Sequence, residues 1–214
     1  AFDGFVIDGP TNIATDAIRP ILSGGLRWDS GLDTPGLLTT ATVTATPTTA
    51  IPQGGTVVII LPPDGWQITS KTPLVSFKTP TMTAMTATWE NESRTLTVQL
   101  GAAITALTPF EFTISGVRTP SAVTPAATGS IHTTDVPGGV FIDGPVAIAT
   151  DRMLPGVLIG SPRVKPSVGT PGVNVFATVS FTVAGSVPKN STIEMVLPND
   201  GWLVDSPMPA VHFT

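Results

Sequence analysis

The stretch Ala41-Thr42-Val43-Thr44-Ala45-Thr46 alternates small apolar side chains with hydroxyl side chains. Successive side chains of a β-strand point to opposite faces of a sheet, so this period of two predicts a strand with one face in a core. Threonine and valine are β-branched, which favours extended backbone. The stretch therefore predicts an all-β fold built from antiparallel strands.

The same pattern returns 136 residues later as Ala177-Thr178-Val179-Ser180-Phe181-Thr182, and Leu61-Pro62-Pro63-Asp64-Gly65-Trp66 returns as Leu197-Pro198-Asn199-Asp200-Gly201-Trp202. In front of these strands, Gly4-Phe5-Val6-Ile7-Asp8-Gly9-Pro10 returns 135 residues later as Gly139-Val140-Phe141-Ile142-Asp143-Gly144-Pro145. Repeats of this kind indicate tandem modules. We predict a complete repeat over residues 1–135, with core strands from about 36 to 135. A truncated second copy covers 136–214, with a junction over 136–166 and a partial sandwich over 167–214.

The composition restricts the partners and sites that this chain can have. Only 12% of residues are charged, against about 25% in typical domains, and the formal net charge is -5. No Lys/Arg cluster is present to neutralise phosphates, so no nucleic-acid partner is expected. No apolar run approaches the ~20 residues that a membrane-spanning helix needs. Cysteine is absent, which excludes disulfides and thiolate metal sites.

Alternating apolar residues mark the later strands of the first repeat. Two alternating runs flank a polar tip at residues 90–93, as the arms of a hairpin would, and a third run follows. Turns at regular spacing between seven or more short strands predict an immunoglobulin-like or fibronectin-like antiparallel sandwich. The inward-facing residues expected in these three runs are Met85, Ala87 and Trp89, then Leu96, Val98 and Leu100, and then Phe110, Phe112 and Ile114.

The segment in front of the first core strand is apolar, unlike a flexible linker, and must be buried against something. Residues 5–22 either pack on their own module as extra edge strands or reach into a neighbouring chain's module as an added strand. On the strand after Thr56, Val58 and Ile60 are expected to point outward, where a loop of the same module or a neighbouring chain covers them. The predicted assembly interface consists of Phe5, Ile7, Ile13, Ile18, Ile21, Leu22, Val58 and Ile60.

Few residues are candidates for catalysis or for metal binding. His132 and His212 lie in predicted strands, without a serine nucleophile motif or an acidic partner at a recognisable spacing, so no enzymatic activity is expected. Carboxylates do gather near the module junctions, where calcium sites of extracellular β-modules often form. Their spacing matches no calcium loop, and turn and capping roles are the favoured alternative, so no cofactor is predicted. The five calcium candidates are Asp8, Asp16, Asp135, Asp143 and Asp151.

Two further features bear on N-glycosylation and on sugar binding. Asn91-Glu92-Ser93 and Asn190-Ser191-Thr192 are N-glycosylation sequons at predicted turns, so Asn91 and Asn190 are predicted glycan sites. Trp66 and Trp202 follow the Asp-Gly turn in both copies. An exposed tryptophan there could stack on a sugar ring, whereas a tryptophan beneath a turn is more often part of the core.

The alternating Thr/Val strands, the Leu-Pro-x-Asp-Gly-Trp turn and the strand Phe112-Thr113-Ile114-Ser115-Gly116-Val117 resemble tandem immunoglobulin-like repeats of extracellular fibril, pilus and adhesin proteins. The resemblance implies secretion, a load-bearing or adhesive role, and polymerisation by strand exchange. We therefore expect a structural subunit of an extracellular filament, assembled head-to-tail from copies of this chain. The alternative is a cell-surface adhesin or a carbohydrate-binding stalk module.

Overall fold

The computed structural model describes residues 21–187 and 189–213, and within these ranges the chain is all-β and contains no helix. It follows that no helix in the described part could cross a membrane. The strands are β1 (Ser23–Ser30), β2 (Leu38–Thr46), β3 (Thr56–Ile60), β4 (Gln67–Ile68), β5 (Val75–Thr79), β6 (Ala84–Glu90), β7 (Thr95–Leu100), β8 (Phe110–Arg118), β9 (Thr128–Thr134), β10 (Phe141–Thr150), β11 (Ile159–Pro166) and β12 (Ala177–Thr182).

One large sheet dominates the molecule. Its ten strands run in the order β4-β8-β2-β1-β10-β9-β3-β7-β6, and β5 pairs with β8 beside this path. A bridge between Ser76 and Thr83 brings β5 to the start of β6, so the sheet is nearly closed. The other sheet contains only β11 and β12. The all-β prediction is confirmed, while two immunoglobulin-like sandwiches in tandem remain a prediction.

The alternation in β2 gives a fully buried row, Ala41, Val43 and Ala45, with half-buried threonines between them. β8 lies antiparallel to β2, with Phe112 opposite Val43. Each large side chain buried in this way contributes roughly 1.5–3 kcal/mol. The burial predicted for five further residues is confirmed: Leu96, Val98, Phe110, Phe112 and Ile114 are all fully buried.

The hairpin of β6 and β7 forms as predicted, but Met85 does not face the core. Its side chain is exposed, while Ala84 packs against the core instead. The cause is a register shift between Ala84 and Thr86 in the pairing with β7. A bulge of this kind moves the residues before it to the opposite face of the strand.

The hairpin of β11 and β12 repeats the hairpin of β1 and β2 in structure as well as in sequence. Every pair of the first hairpin returns 136 residues later, including an irregularity at the same place in both. The matching pairs are Ser23↔Thr46 with Ile159↔Thr182, Arg27↔Thr44 with Arg163↔Ser180, Trp28↔Val43 with Val164↔Val179, Asp29↔Thr42 with Lys165↔Thr178, and Ser30↔Ala41 with Pro166↔Ala177.

The two copies differ in burial, both in this hairpin and beyond it. Val57 and Phe77 are buried in the first copy, whereas their counterparts Ile193 and Phe213 are 51% and 84% exposed. In the first copy β7, β8 and β9 complete the sheet around such residues. Met195, on the same stretch as Ile193, is exposed as well, so apolar side chains of the second copy face solvent in the described structure.

Candidate functional site

The candidate functional site is the place of β10 in the large sheet. This strand lies between β1, to which it is parallel, and β9, to which it is antiparallel. In sequence, however, β10 is the front segment of the second repeat. We call the gap between β1 and β9 the strand slot. A segment of one repeat therefore fills a slot in the repeat before it.

The inner face of β10 is part of the core of the large sheet. Ile148 is fully buried and Met153, just beyond the strand, is almost so, while Ile142 and Val146 pack partly buried against the same core. The backbone adds hydrogen bonds on both sides, since β10 pairs with β1 and with β9. Without β10 the slot would expose apolar surface and two unpaired strand edges.

The carboxylate of Asp143 is fully buried at the first part of the strand. It accepts hydrogen bonds from the Thr48 hydroxyl at 2.5 Å and from the Thr49 backbone N–H at 3.4 Å. The backbone N–H of Asp143 in turn donates to the Thr133 hydroxyl at 3.1 Å. A buried carboxylate is costly unless it is hydrogen-bonded, so these partners fix where this part of β10 can lie.

Asp151, immediately after β10, joins the end of the strand to β1. One carboxylate oxygen accepts from Arg27 Nη2 at 2.6 Å and Nε at 3.2 Å. The other accepts from the backbone N–H of Ser30 at 2.7 Å and from its hydroxyl at 3.1 Å. The hydrogen bond and the charge of Asp151 raise the pKa of Arg27, and the nearby charge of Asp29 adds to this effect.

Gly144 and Thr150 show how closely β10 fits the slot. Gly144 has φ +85°, and a Cβ added there would lie 2.8 Å from the carbonyl oxygen of Ile131 on β9. Such a contact is too short for any other residue. The Thr150 N–H donates to the Ala127 carbonyl at 2.9 Å, and the Thr150 hydroxyl accepts from the Ala127 N–H at 3.3 Å.

The front segment of the first repeat keeps the residues that seat β10. Residues 4–16 and 139–151 are identical at nine of 13 positions. Three of the four differences fall on exposed residues of the second copy, Val140, Phe141 and Ala147, and the fourth falls on the partly buried Val146. The seating residues and their identical counterparts are Ile142 and Ile7, Asp143 and Asp8, Gly144 and Gly9, Ile148 and Ile13, Thr150 and Thr15, and Asp151 and Asp16.

The three calcium candidates that the structure describes use their carboxylates in hydrogen bonds. Asp143 and Asp151 hold β10 as described above, and Asp135 accepts from the backbone N–H groups of Val136 at 2.9 Å and Val140 at 2.8 Å. Asp8 and Asp16 lie outside the described residues. Within the described ranges, no group of three or more His, Cys, Asp or Glu residues is arranged to hold a metal ion.

The residues of the predicted assembly interface differ in how exposed they are. Val58 is half-buried and Ile60 is 36% exposed, on the outer face of β3 between β9 and β7. Ile21 is exposed, whereas Leu22 is buried in the core of its own chain and is therefore not available to a neighbour. Four of the eight, Phe5, Ile7, Ile13 and Ile18, lie outside the described residues.

The histidines and tryptophans are placed as follows. His132 packs edge-on against Phe141 with ring centroids 4.7 Å apart, and burial lowers its pKa. Trp66 is buried with its ring edge against Trp28 at 6.1 Å, so in the first copy this tryptophan belongs to the core. Its counterpart Trp202 is 42% exposed.

Both sequon asparagines are exposed at turns. Asn91 lies at the tip of the β6–β7 hairpin, and Asn190 has φ +68° in a turn. A glycan could therefore be attached at either position without disturbing buried structure, although attachment stays a prediction.

Replacing Asp151 by alanine should lower the free energy of unfolding by about 1–3 kcal/mol, because the N–H of the largely buried Ser30 loses its acceptor. Urea unfolding followed by tryptophan fluorescence would measure the loss. Arg27→Ala is the matched control and should cost less, because the Arg27 side chain is 59% exposed and water screens its charge. An Asp151→Ala variant as stable as the parent would show that this anchor contributes nothing.

Comparison with known proteins gives no family. No family model matches the chain, and no curated protein matches it. Among solved structures, it is similar to the bacterial hydrophobin BslA, with 13% identity and a TM-score of 0.33 over 62% of this chain and 88% of that one. It is also similar to AvmM, which catalyses macrocyclization in alchivemycin A biosynthesis, with 10% identity and a TM-score of 0.30 over 82% of this chain and 93% of that one. Neither likeness is close enough to assign a fold family or a function.

Proposed function

We propose that this chain is a structural subunit of an extracellular filament, in which the front segment of one copy completes a module of the next copy. The single observation that carries the proposal is β10. Its sequence belongs to the front of the second repeat, yet it is a full strand in the sheet of the first. The repeats are thus already joined by strand donation within one chain.

The same segment stands in front of the first repeat, at residues 4–16, with its seating residues retained. A segment that keeps, at the same spacing, the residue types that are buried or crowded in β10 (isoleucine, aspartate and glycine) is suited to the same kind of slot. The second copy offers half of one, since β11 is the counterpart of β1 and shares its register with the following strand. Its apolar face is also open, which favours association with a partner.

Donation of this kind runs head-to-tail. The donor is at the front of the chain and the acceptor is in the second repeat, so each added copy presents a new acceptor. A heterologous contact that does not close on itself generates a filament. Backbone hydrogen bonds between the donated strand and β11, like those of β10 with β1, would help to carry load between copies, which suits a structural role.

The proposed extracellular location is supported by the low charge of the chain and by its exposed glycosylation sequons. A chain with 12% charged residues has few ions to keep it soluble, so that glycans or burial in an assembly would have to supply solubility. Asn91 and Asn190 are exposed at turns, where glycans can be accepted. We propose that both carry N-linked glycans in native material.

The test is to compare the assembly of the 214-residue protein with that of two single variants. Ile13→Asp places a charge at the counterpart of the fully buried Ile148, and Asn12→Asp places the same charge at the counterpart of the exposed Ala147. The parent and Asn12→Asp should sediment as filaments that electron microscopy can see, and Ile13→Asp should stay small. A parent that remains monomeric, or an Ile13→Asp variant that assembles like the parent, would contradict the proposal.

A further inference from the structure

We infer that Asp16 of one copy pairs with Arg163 of the next, and that this ion pair sets the register of the donated strand; the inference rests on the proposed function. Arg163 is the counterpart of Arg27, because β11 and β12 pair in the register of β1 and β2. Asp16 is the counterpart of Asp151. In the described slot, Asp151 and Arg27 form a two-point contact at 2.6 and 3.2 Å.

The surroundings of Arg163 are suited to receiving a partner. The residue lies on β11, whose side chains are mostly exposed, and Arg163 itself is exposed. It stands opposite Ser180 on β12, as Arg27 stands opposite Thr44 on β2. Asp151 contacts Arg27 from the edge of β1 that faces away from β2, where Ala149 of β10 lies in register with Arg27. The equivalent edge of β11 is the one that a donated strand would occupy.

The two slots differ in a way that makes the pair more important between chains. Ser30, which donates two hydrogen bonds to Asp151, is replaced in the second copy by Pro166, which has neither an N–H nor a hydroxyl. Thr48, which donates to Asp143, is replaced by Ala184. The neutral partners of both aspartates are thus reduced, and the arginine remains. The contact between copies should therefore be weaker than the one within the chain and more sensitive to salt.

Charge reversal tests the pair in the intact protein. Asp16→Arg and Arg163→Asp alone should each raise the protein concentration needed for assembly by about tenfold or more, the loss expected of a charge-assisted hydrogen bond. The two single variants mixed in equal amounts should assemble again, because each front segment then meets an acceptor of opposite charge. The double variant should assemble by itself. Rescue by mixing is possible only if the pair joins two chains.

Lys189→Asp is the control, because Lys189 also lies in the second repeat, is exposed in a turn outside β11, and changes the charge by the same amount. It should change the threshold by less than about threefold, since it does not lie on the strand against which Asp16 would dock. Circular dichroism of each variant would check that it folds. Single reversals without effect, a mixture that does not recover, or an equal effect of Lys189→Asp would overturn the pair. If one of these contradicting results is found while the parent assembles and Ile13→Asp does not, only the ion pair is overturned and strand donation stands. A parent that never assembles overturns both proposals.

Discussion

Replacing Ile148 by aspartate should unfold the large sheet under conditions where the parent is folded. The side chain of Ile148 is fully buried, in a core shared by β10 with strands from the first repeat. The change removes roughly 1.5–3 kcal/mol of apolar burial and adds the cost of a buried polar group without a partner. Domains of this size are stable by about 5–15 kcal/mol, so much of that stability would be lost. Thermal unfolding would show the loss through the emission of the buried Trp28, Trp66 and Trp89.

Ala147→Asp is the matched control for this change. Ala147 precedes Ile148 on the same strand, is exposed, and lies opposite Ser130 on β9. This variant should unfold close to the parent, because the added carboxylate stays in water. If Ile148→Asp also unfolds within a few degrees of the parent, residues 141–150 do not contribute to the stability of the large sheet.

Much of the fold could be predicted because the responsible signals are local. Alternation in β2, β7 and β8 correctly predicted which side chains are buried, since a strand between two neighbours has one core face along its length. The prediction for Met85 was wrong because a bulge is set by how β6 pairs with β7. Residue alternation within one strand contains no information about such a shift.

The site was predicted only in part. The apolar front segments were expected to be buried. In the second of them Ile148 and Met153 are buried, whereas Val140, Val157 and Ile159 are exposed, so this expectation holds only in part. That β10 pairs with strands of the preceding sequence repeat, parallel to β1, could not be read from periodicity, because strand order and direction depend on distant contacts. Asp151 and Arg27 are 124 residues apart. A usable signal did exist: the positions identical between the two front segments are mostly those that seat β10.

Strand donation between copies can be tested by trapping the contact as a disulfide. Ala149 lies in register with Arg27 on the neighbouring strand, and their counterparts are Ala14 and Arg163. Neighbouring strands lie about 4.8 Å apart, which suits a disulfide between paired residues. The chain has no cysteine of its own, so Ala14→Cys with Arg163→Cys introduces the only two thiols. The disulfide replaces the ion pair, and transient docking is sufficient to form it.

The most direct measurement is the size distribution of this double-cysteine variant after mild oxidation, on a denaturing gel without reductant. Each chain carries both a donor and an acceptor thiol, so strand donation between copies should give a ladder of disulfide-linked dimers, trimers and longer species. Ala14→Cys with Lys165→Cys, two residues out of register, should give far less of it. A crosslink confined to single chains, no crosslink at all, or equal ladders from the two variants would contradict strand donation between copies.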